Sequence, residues 1–228
     1  GEISAGVAHE INNPLSVILG HVVSIEKKLA AGQTSPDLSR NLQKIKEMSE
    51  RINRIIKGLT YFSRNAENDP SQNFSLKNML QEVQILCGMK IKEHGIKFNS
   101  SVPNEDIIVS GMEVQVSQVL VNLIQNAIDA VKDSQNPVVE LEVKAEGAIC
   151  CLSVTDNGPG IPQEIQQKIF QPFFTTKPVG KGTGLGLSIA HGIAKQHKGD
   201  LTVKSKIGYT VFEFTLPIVA IGTQNKAA

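Results

Sequence analysis

Several short segments carry side chains whose types and spacing could do chemistry. The first is AHEINNPL, where His9 and Glu10 are neighbours inside a helical pattern. A neutral imidazole is nucleophilic near pH 7 and can accept a phosphoryl group, and an adjacent carboxylate can take the proton released at the other ring nitrogen. Consecutive helical residues point about 100° apart, so at least one of the pair must be wet. A lone His-Glu dipeptide is ordinarily a surface pair and nothing more. Zinc binding of the HExxH kind is excluded, because Asn13 stands where the second His would be. Pro14 removes one helix hydrogen bond, a cost of about 3 kcal/mol, and is expected to bend the helix beside His9.

The second segment is NLIQNAIDA, which sets Asn122 and Asn126 four residues apart on one stripe of an otherwise apolar helix. Two such amides can hold a hard cation and phosphate oxygens, or can simply be solvated. The third, DNGPGI, ends an apolar strand with Asp156, and Gly158 and Gly160 follow. A buried carboxylate there can accept from the exocyclic amine of adenine, and the glycines let a ring approach the backbone; alone, the same residues make an ordinary turn. The fourth, VGKGTGLGLSIA, leads Gly180, Gly182, Gly184 and Gly186 into a helix, exposing amides and a positive dipole end to phosphate. It is not a Walker loop, since no G-K-[ST] closes it. Between the last two segments, FQPFFTTK places Phe170, Phe173 and Phe174 as anchors of a mobile lid, with Lys177 able to reach a phosphate.

Two kinds of element must position these residues. From Ile11 the positions Leu15, Ile18, Val22, Ile25 and Leu29, and later Leu38, Leu42, Ile45, Ile52, Ile56 and Leu59, follow the alternating spacing of heptad seams, interrupted at Ser49. AAGQTSPD, with Gly32, Ser35, Pro36 and Asp37, makes the turn between two antiparallel helices. One hairpin has two apolar seams and too little to cover them, so the expected solution is a homodimer with a four-helix bundle. After the polar stretch NAENDPSQN the pattern mixes helices near 75–94, 112–134 and 184–197 with strands that pair mainly as hairpins, VVELEVKAEG with ICCLSVTD and DLTVKSK with YTVFEFTLP. The fold class is α+β: a hairpin followed by an α/β sandwich with one sheet and its helices on one face. The expected domains are residues 1–67, a linker at 68–73, a second domain at 74–217 and a tail at 218–228.

Composition excludes other classes. Of 228 residues 40% are hydrophobic, enough for a sizeable core. A net charge of +1 offers no basic field for nucleic acid. Three cysteines, two of them adjacent at Cys150 and Cys151, make neither a disulfide framework nor a zinc spacing and suit a reducing compartment. No apolar run reaches the roughly 18 residues that a membrane span needs. The chain starts at Gly1 inside a helical pattern, as a fragment of a longer protein would, one whose remaining part could hold a membrane anchor, and the expected localisation of this part is cytoplasmic.

In order and spacing, His9-Glu10, Asn122 with Asn126, Asp156 through Gly160, Phe170 with Phe173, and Gly182-x-Gly184-x-Gly186 resemble the five conserved boxes of two-component sensor histidine kinases. The resemblance covers residues 2 to 217, and HEINNPL is similar to the nitrogen-regulation branch. It implies a dimerising phosphotransfer hairpin and an ATP-binding domain of the fold shared with gyrase, Hsp90 and MutL. On that resemblance His9 is the phosphorylated residue and Glu10 its base, and Asn13, in an HExxN pattern, supports dephosphorylation of the partner. Asn126 holds Mg²⁺ with Asn122 beside the phosphates. Asp156 reads adenine with Gly158 and Gly160, and Lys177 and the run Gly182, Thr183, Gly184, Leu185 and Gly186 line the triphosphate. Many relatives carry a basic residue and a Tyr after the asparagine pair, where Asp129-Ala130 stands here with Lys132 as the substitute. The implied activity is ATP-dependent histidine phosphorylation and transfer to an Asp of a response-regulator receiver domain. The alternatives are an ATPase of the gyrase and Hsp90 type and a non-catalytic dimeric scaffold. The ATPase would need a carboxylate one turn before the cation ligand, where Asn122 stands.

Overall fold

A computed structural model of the chain describes residues 2–30, 38–49, 52, 71–178 and 182–222, of which 2–10 and 222 are described by their backbone alone. The expected turn at Gly32 to Asp37, the seam residues Ile56 and Leu59, Gly180, and the linker up to residue 70 lie outside them. Contacts divide the chain into two units, Gly1–Asn65 with Pro172–Leu185, and Ala66–Gln171 with Gly186–Ala228. Pro172–Leu185, expected inside the second domain, thus groups with the first.

The first unit holds helix α1 (Glu2–Ala30), which runs through Pro14 without ending, and helix α2 (38–49). The pair is joined by a polar layer within the apolar pattern. Asn41 is buried; its Oδ1 lies 3.1 Å from Nδ1 of His21, and its Nδ2 donates to Oγ of Ser24 at 3.5 Å. A buried amide between helices fixes their register, because any slip leaves it unpaired. Ser49, the interruption in the second seam, returns its hydroxyl to the Ile45 carbonyl at 2.8 Å. Within one chain the seams are only half covered: Ile18, Val22, Ile25 and Ile45 are half-buried, while Leu15, Leu29 and Leu42 remain 42%, 56% and 54% exposed.

The second unit is built on one mixed sheet. Its elements in chain order are β1 (Gln72–Ser75), α3 (Leu76–Glu93), β2 (Lys97–Ser101), β3 (Asp106–Gly111), α4 (Glu113–Val131), β4 (Val138–Glu146), β5 (Ile149–Asp156), α5 (Gln163–Gln166), α6 (Gly186–Gln196), β6 (Asp200–Lys206) and β7 (Tyr209–Gly222). The strand order is β1-β3-β7-β5-β4-β2, with β6 also paired to β7. Hairpin pairing holds for β4 with β5 and β6 with β7, whereas β2 lies parallel to β4, reached through β3 and α4. Two boundaries differ from the sequence reading, both through strand pairing. Gln72 and Asn73, assigned to the linker, pair with Gly111 and Ser110. Residues 218–222, assigned to the tail, continue β7 past Pro217 and pair with β3, Ile221 opposite Ile107.

The period of two in β5 decides which face is covered: Cys150, Leu152, Val154 and Asp156 are buried and the residues between them are not. Helices α3, α4 and α6 supply the cover. Along α3 the buried residues are Leu76, Met79, Leu80, Val83, Cys87 and Ile91, the stripe of a 3.6-residue period, and Ser75 caps its start by accepting from the Asn78 amide at 3.1 Å. Along α4 they are Val116, Val119, Leu120, Leu123, Ile124, Ala127, Ile128 and Val131. Each large aliphatic side chain buried this way contributes about 1.5–3 kcal/mol. A buried imidazole sets α4 against α6. His197 Nδ1 donates to the Ile193 carbonyl at 2.9 Å, and its Nε2 accepts from the amide of Met112, the residue before α4, at 3.0 Å. A Cβ on Gly111 would overlap that ring.

Candidate functional site

Asn122 and Asn126 lie one turn apart on α4, both half-buried at the edge of its apolar stripe. Asn122 Nδ2 is buried without a hydrogen-bond partner. Such a donor costs about 1–3 kcal/mol unless something accepts from it, so this amide is available to an acceptor that arrives from outside. The other side of the same amide fits against the first residue of α6: a Cβ on Gly186 would overlap Asn122 Oδ1. Gly186 is therefore the residue that lets α6 start beside α4. The N-terminus of α6 and an unpaired amide on α4 then face one place, an arrangement suited to anionic oxygen.

Asp156 ends β5 on the covered face and is 4% exposed. Its Oδ1 accepts from the Gly158 amide at 2.9 Å. Burial nonetheless dominates and pushes the carboxyl up to about 6, against an ordinary value of 3.8, with the Gly158 hydrogen bond opposing the rise. A buried carboxylate with spare acceptor capacity is suited to a neutral donor such as an aromatic amine. The turn that follows is pinned on its upstream side by Asn157, whose Oδ1 accepts from the Val138 amide at 2.9 Å and whose Nδ2 donates to the Asn136 carbonyl at 2.7 Å. Gly160 holds φ at +84°, and any Cβ there would overlap the Lys206 carbonyl, so both its backbone angle and its neighbour require glycine.

Within the first unit, Phe173 takes φ of 66°, an unusual value for an aromatic residue, and the Gly184 backbone lies against its carbonyl. Gly182 sits beside Thr175 and Lys177, the Thr183 hydroxyl accepts from the Leu185 amide at 3.4 Å, and Leu185 is buried. In the second unit Phe170 meets His191, with ring centroids 5.2 Å apart. The Asp129-Ala130 departure lies at the end of α4. Lys132 Nζ lies 3.3 Å from Asp129 Oδ1, an exposed pair on the last turn of α4. His9 and Glu10 lie in α1, one turn and less before Asn13, which is exposed next to the buried Pro14.

Sequence reasoning did not single out Asn157, Gln166, Ser205 or Thr210. Three of these are polar residues in ordinary helix and strand positions, and only the fold brings them to the Asp156 turn; Asn157 was visible inside DNG, a motif that signals a turn before it signals a site. Among the described residues no group of three or more His, Cys, Asp or Glu side chains is placed to hold a metal ion. The side-chain oxygen of Asn126 is a donor of the right hardness for a cation such as Mg²⁺.

Residues 1–68 match the His Kinase A (phospho-acceptor) domain, and residues 111–220 match the histidine kinase-, DNA gyrase B-, and HSP90-like ATPase family. The catalytic domain of the histidine kinase ThkA is 37% identical and superposes with a TM-score of 0.59 over 65% of this chain and 98% of that one. The chain belongs to the histidine kinases. AtoS, a histidine kinase of Escherichia coli (strain K12), is 34% identical over 227 residues, which is 99% of this chain and 36% of AtoS. Sporulation kinase A of Bacillus subtilis (strain 168) is 31% identical over 90% of this chain and 32% of its own length. The chain thus spans about a third of these two kinases. A second structure, ThkA in complex with the response regulator protein TrrA, is 30% identical with a TM-score of 0.76 over 95% of this chain and 61% of that one. In this histidine kinase the phospho-acceptor match contains His9, and the ATPase match contains Asn122, Asn126, Asp156 and every glycine from Gly158 to Gly186. No helix among the described residues is long and apolar enough to cross a membrane.

Proposed function

We propose that this histidine kinase core phosphorylates His9 from ATP and passes the phosphoryl group to an Asp of a response-regulator receiver domain. The observation that carries this reading is the buried, unpartnered Nδ2 of Asn122 at the glycine that opens α6, a donor placed to meet an incoming oxygen such as a phosphate's. In the proposed reaction a ring nitrogen of His9 forms the bond to the γ-phosphorus and the bond to the ADP oxygen breaks. Glu10 takes the imidazole proton. Asn126 would supply an oxygen to Mg²⁺, whose charge neutralises the phosphates when bound, and Asp156 would accept from the adenine amine. Gly158, Gly160 and Gly186 would line the nucleotide.

The ATPase reading is disfavoured by Asn122 itself, since an amide cannot take a proton from an attacking water. A scaffold would have no need of a buried, unpaired donor. The half-covered seams of α1 and α2 support a homodimer through the hairpin, in which a second copy covers Leu15, Leu29 and Leu42. The complex of ThkA with TrrA supports a receiver domain as partner. Work on ATP with reduced thiols at Cys87, Cys150 and Cys151 fits the cytoplasm. The test is to incubate the protein with ATP labelled at the γ position. Label on protein that survives alkali and is lost in acid marks a phosphoramidate and supports the reading; acid-stable label, or release of phosphate without labelling, would overturn it.

Asn13 gives a second testable part. It lies four residues after His9 on α1 and is exposed, so its amide is available to orient a water against a phosphorylated Asp docked at that face. Asn13→Ala should keep labelling of His9 and slow dephosphorylation of the phosphorylated regulator at least tenfold, about 1.4 kcal/mol in barrier. Loss of both activities together would show instead that Asn13 and Pro14 matter only for the course of the helix.

A further inference from the structure

The turn that carries Asp156 is held at its far end by residues that belong to none of the motifs above. The Ile161 amide donates to Ser205 Oγ at 2.8 Å, and Gln166 Nε2 donates to both the Ile161 carbonyl, at 2.8 Å, and the Ser205 carbonyl, at 3.0 Å. The Ser205 hydroxyl also lies 2.8 Å from Thr210 Oγ1 and 3.2 Å from the Tyr209 carbonyl. Thr210 is buried and stands directly opposite Asp156 in the β5–β7 ladder. With Asn157 fixing the near end to the start of β4, the short stretch between the two anchors contains Gly158, which donates to Asp156, and Gly160, which lies against the Lys206 carbonyl.

The chemistry of this clamp is specific. Two carbonyl oxygens close together repel unless a neutral group with two N–H bonds sits between them, and Gln166 uses its amide in that way. A glutamate has the same shape and no donor, so it would place a negative charge against both carbonyls. A serine hydroxyl can accept from Ile161 and still donate to Thr210 or Tyr209; alanine can do neither.

We propose that Gln166 and Ser205 are positioning residues that lock the Asp156 turn in its nucleotide-accepting form, so that they set the affinity for adenine nucleotide without taking part in phosphoryl transfer. The inference rests on the assignment of Asp156 to adenine recognition. Its consequence is a separation of steps: ATP must find the turn already formed, whereas transfer from phosphorylated His9 to a receiver domain needs no nucleotide. Loosening the clamp lowers the fraction of molecules with a competent turn and raises the apparent dissociation constant in proportion.

The experiment compares Gln166→Glu, Ser205→Ala, the double variant and Asp156→Asn with the wild type. It measures the dissociation constant for ADP without metal, KM and kcat for labelling by ATP, the rate of transfer from the phosphorylated kinase to a receiver domain, and the melting temperature. Each clamp variant should raise the ADP dissociation constant and the KM for ATP about five- to twentyfold and leave kcat and the transfer rate within twofold. The double variant should fall well short of the product of the two, since both act on one clamp. Conservative Ser205→Thr, which keeps the hydroxyl, should restore most of the affinity. A lower melting temperature with unchanged ADP affinity, or a loss confined to kcat, would overturn the proposal. If Asp156→Asn binds ADP as tightly as wild type, the adenine assignment fails; if it binds weakly while the clamp variants do not, the clamp alone fails.

Discussion

His9→Ala should reduce ATP-dependent labelling to background, a loss of at least a thousandfold or about 4 kcal/mol, while nucleotide affinity stays within twofold of wild type. The two halves of that expectation come from different parts of the chain. The nucleophile is a ring nitrogen, and alanine has none to offer. Of the groups expected to hold the nucleotide, Asn122, Asn126, Asp156, Gly158, Gly160 and Gly186 lie in the second unit, and His9 lies in the first. The chain has five histidines, so the alternatives can be named. His197 has both ring nitrogens engaged, by the Ile193 carbonyl and the Met112 amide, and His21 has Nδ1 engaged with the buried Asn41. His94 and His191 lie in the second unit, outside the phospho-acceptor match. Label that persists in His9→Ala would place the acceptor elsewhere, and His21→Ala would be the next variant to assay.

Much of this was legible in the sequence because the elements are strongly periodic. The stripe from Val116 to Val131 fixes α4 as an amphipathic helix, and with it the placing of Asn122 and Asn126 one turn apart. The alternation in ICCLSVTD fixes β5 and leaves Asp156 on the buried face at its end. What periodicity cannot show is pairing at a distance. Gln72 and Asn73 look like linker because their partners, Gly111 and Ser110, lie far along the chain, and residues 218–222 look like tail because Pro217 resembles a stop. Pro217 is tolerated where it stands, opposite Ile149 at the first residue of β5, so the missing N–H falls at the end of that ladder. Asn41, beside the seam residue Leu42, makes a contact to His21 and Ser24 that the seam pattern does not reveal. The clamp is the same kind of case. Ser205 lies in a hairpin and Gln166 in a short surface helix, and their bond to one turn exists only once β6 has paired with β7.

Asp156→Asn should stabilise the free protein and weaken its hold on nucleotide at the same time. The buried carboxyl keeps its proton up to about pH 6 in the fold, against 3.8 ordinarily. A group whose folded value is raised favours the fold at low pH, and that contribution is lost as pH rises through the window from about 4 to about 6. Above the window the fold carries an ionised carboxylate that burial disfavours by on the order of 3 kcal/mol. Asparagine removes the charge and can keep the Gly158 hydrogen bond through its oxygen. The stability of the wild type relative to Asp156→Asn should therefore fall between pH 4 and 6 and level off above it, as followed by urea unfolding at each pH. For the nucleotide the sign reverses. The ionised form is the better acceptor for the adenine amine, and the asparagine NH₂ would set a donor against a donor, so affinity should fall about ten- to hundredfold. Wild-type affinity for adenosine, which has no phosphate to titrate, should rise as pH climbs through 6 with release of a proton, whereas that of Asp156→Asn should be flat across the same range. A variant that loses stability at pH 7, or that keeps the wild-type rise in affinity, would show that this carboxyl is not the group that reads the base.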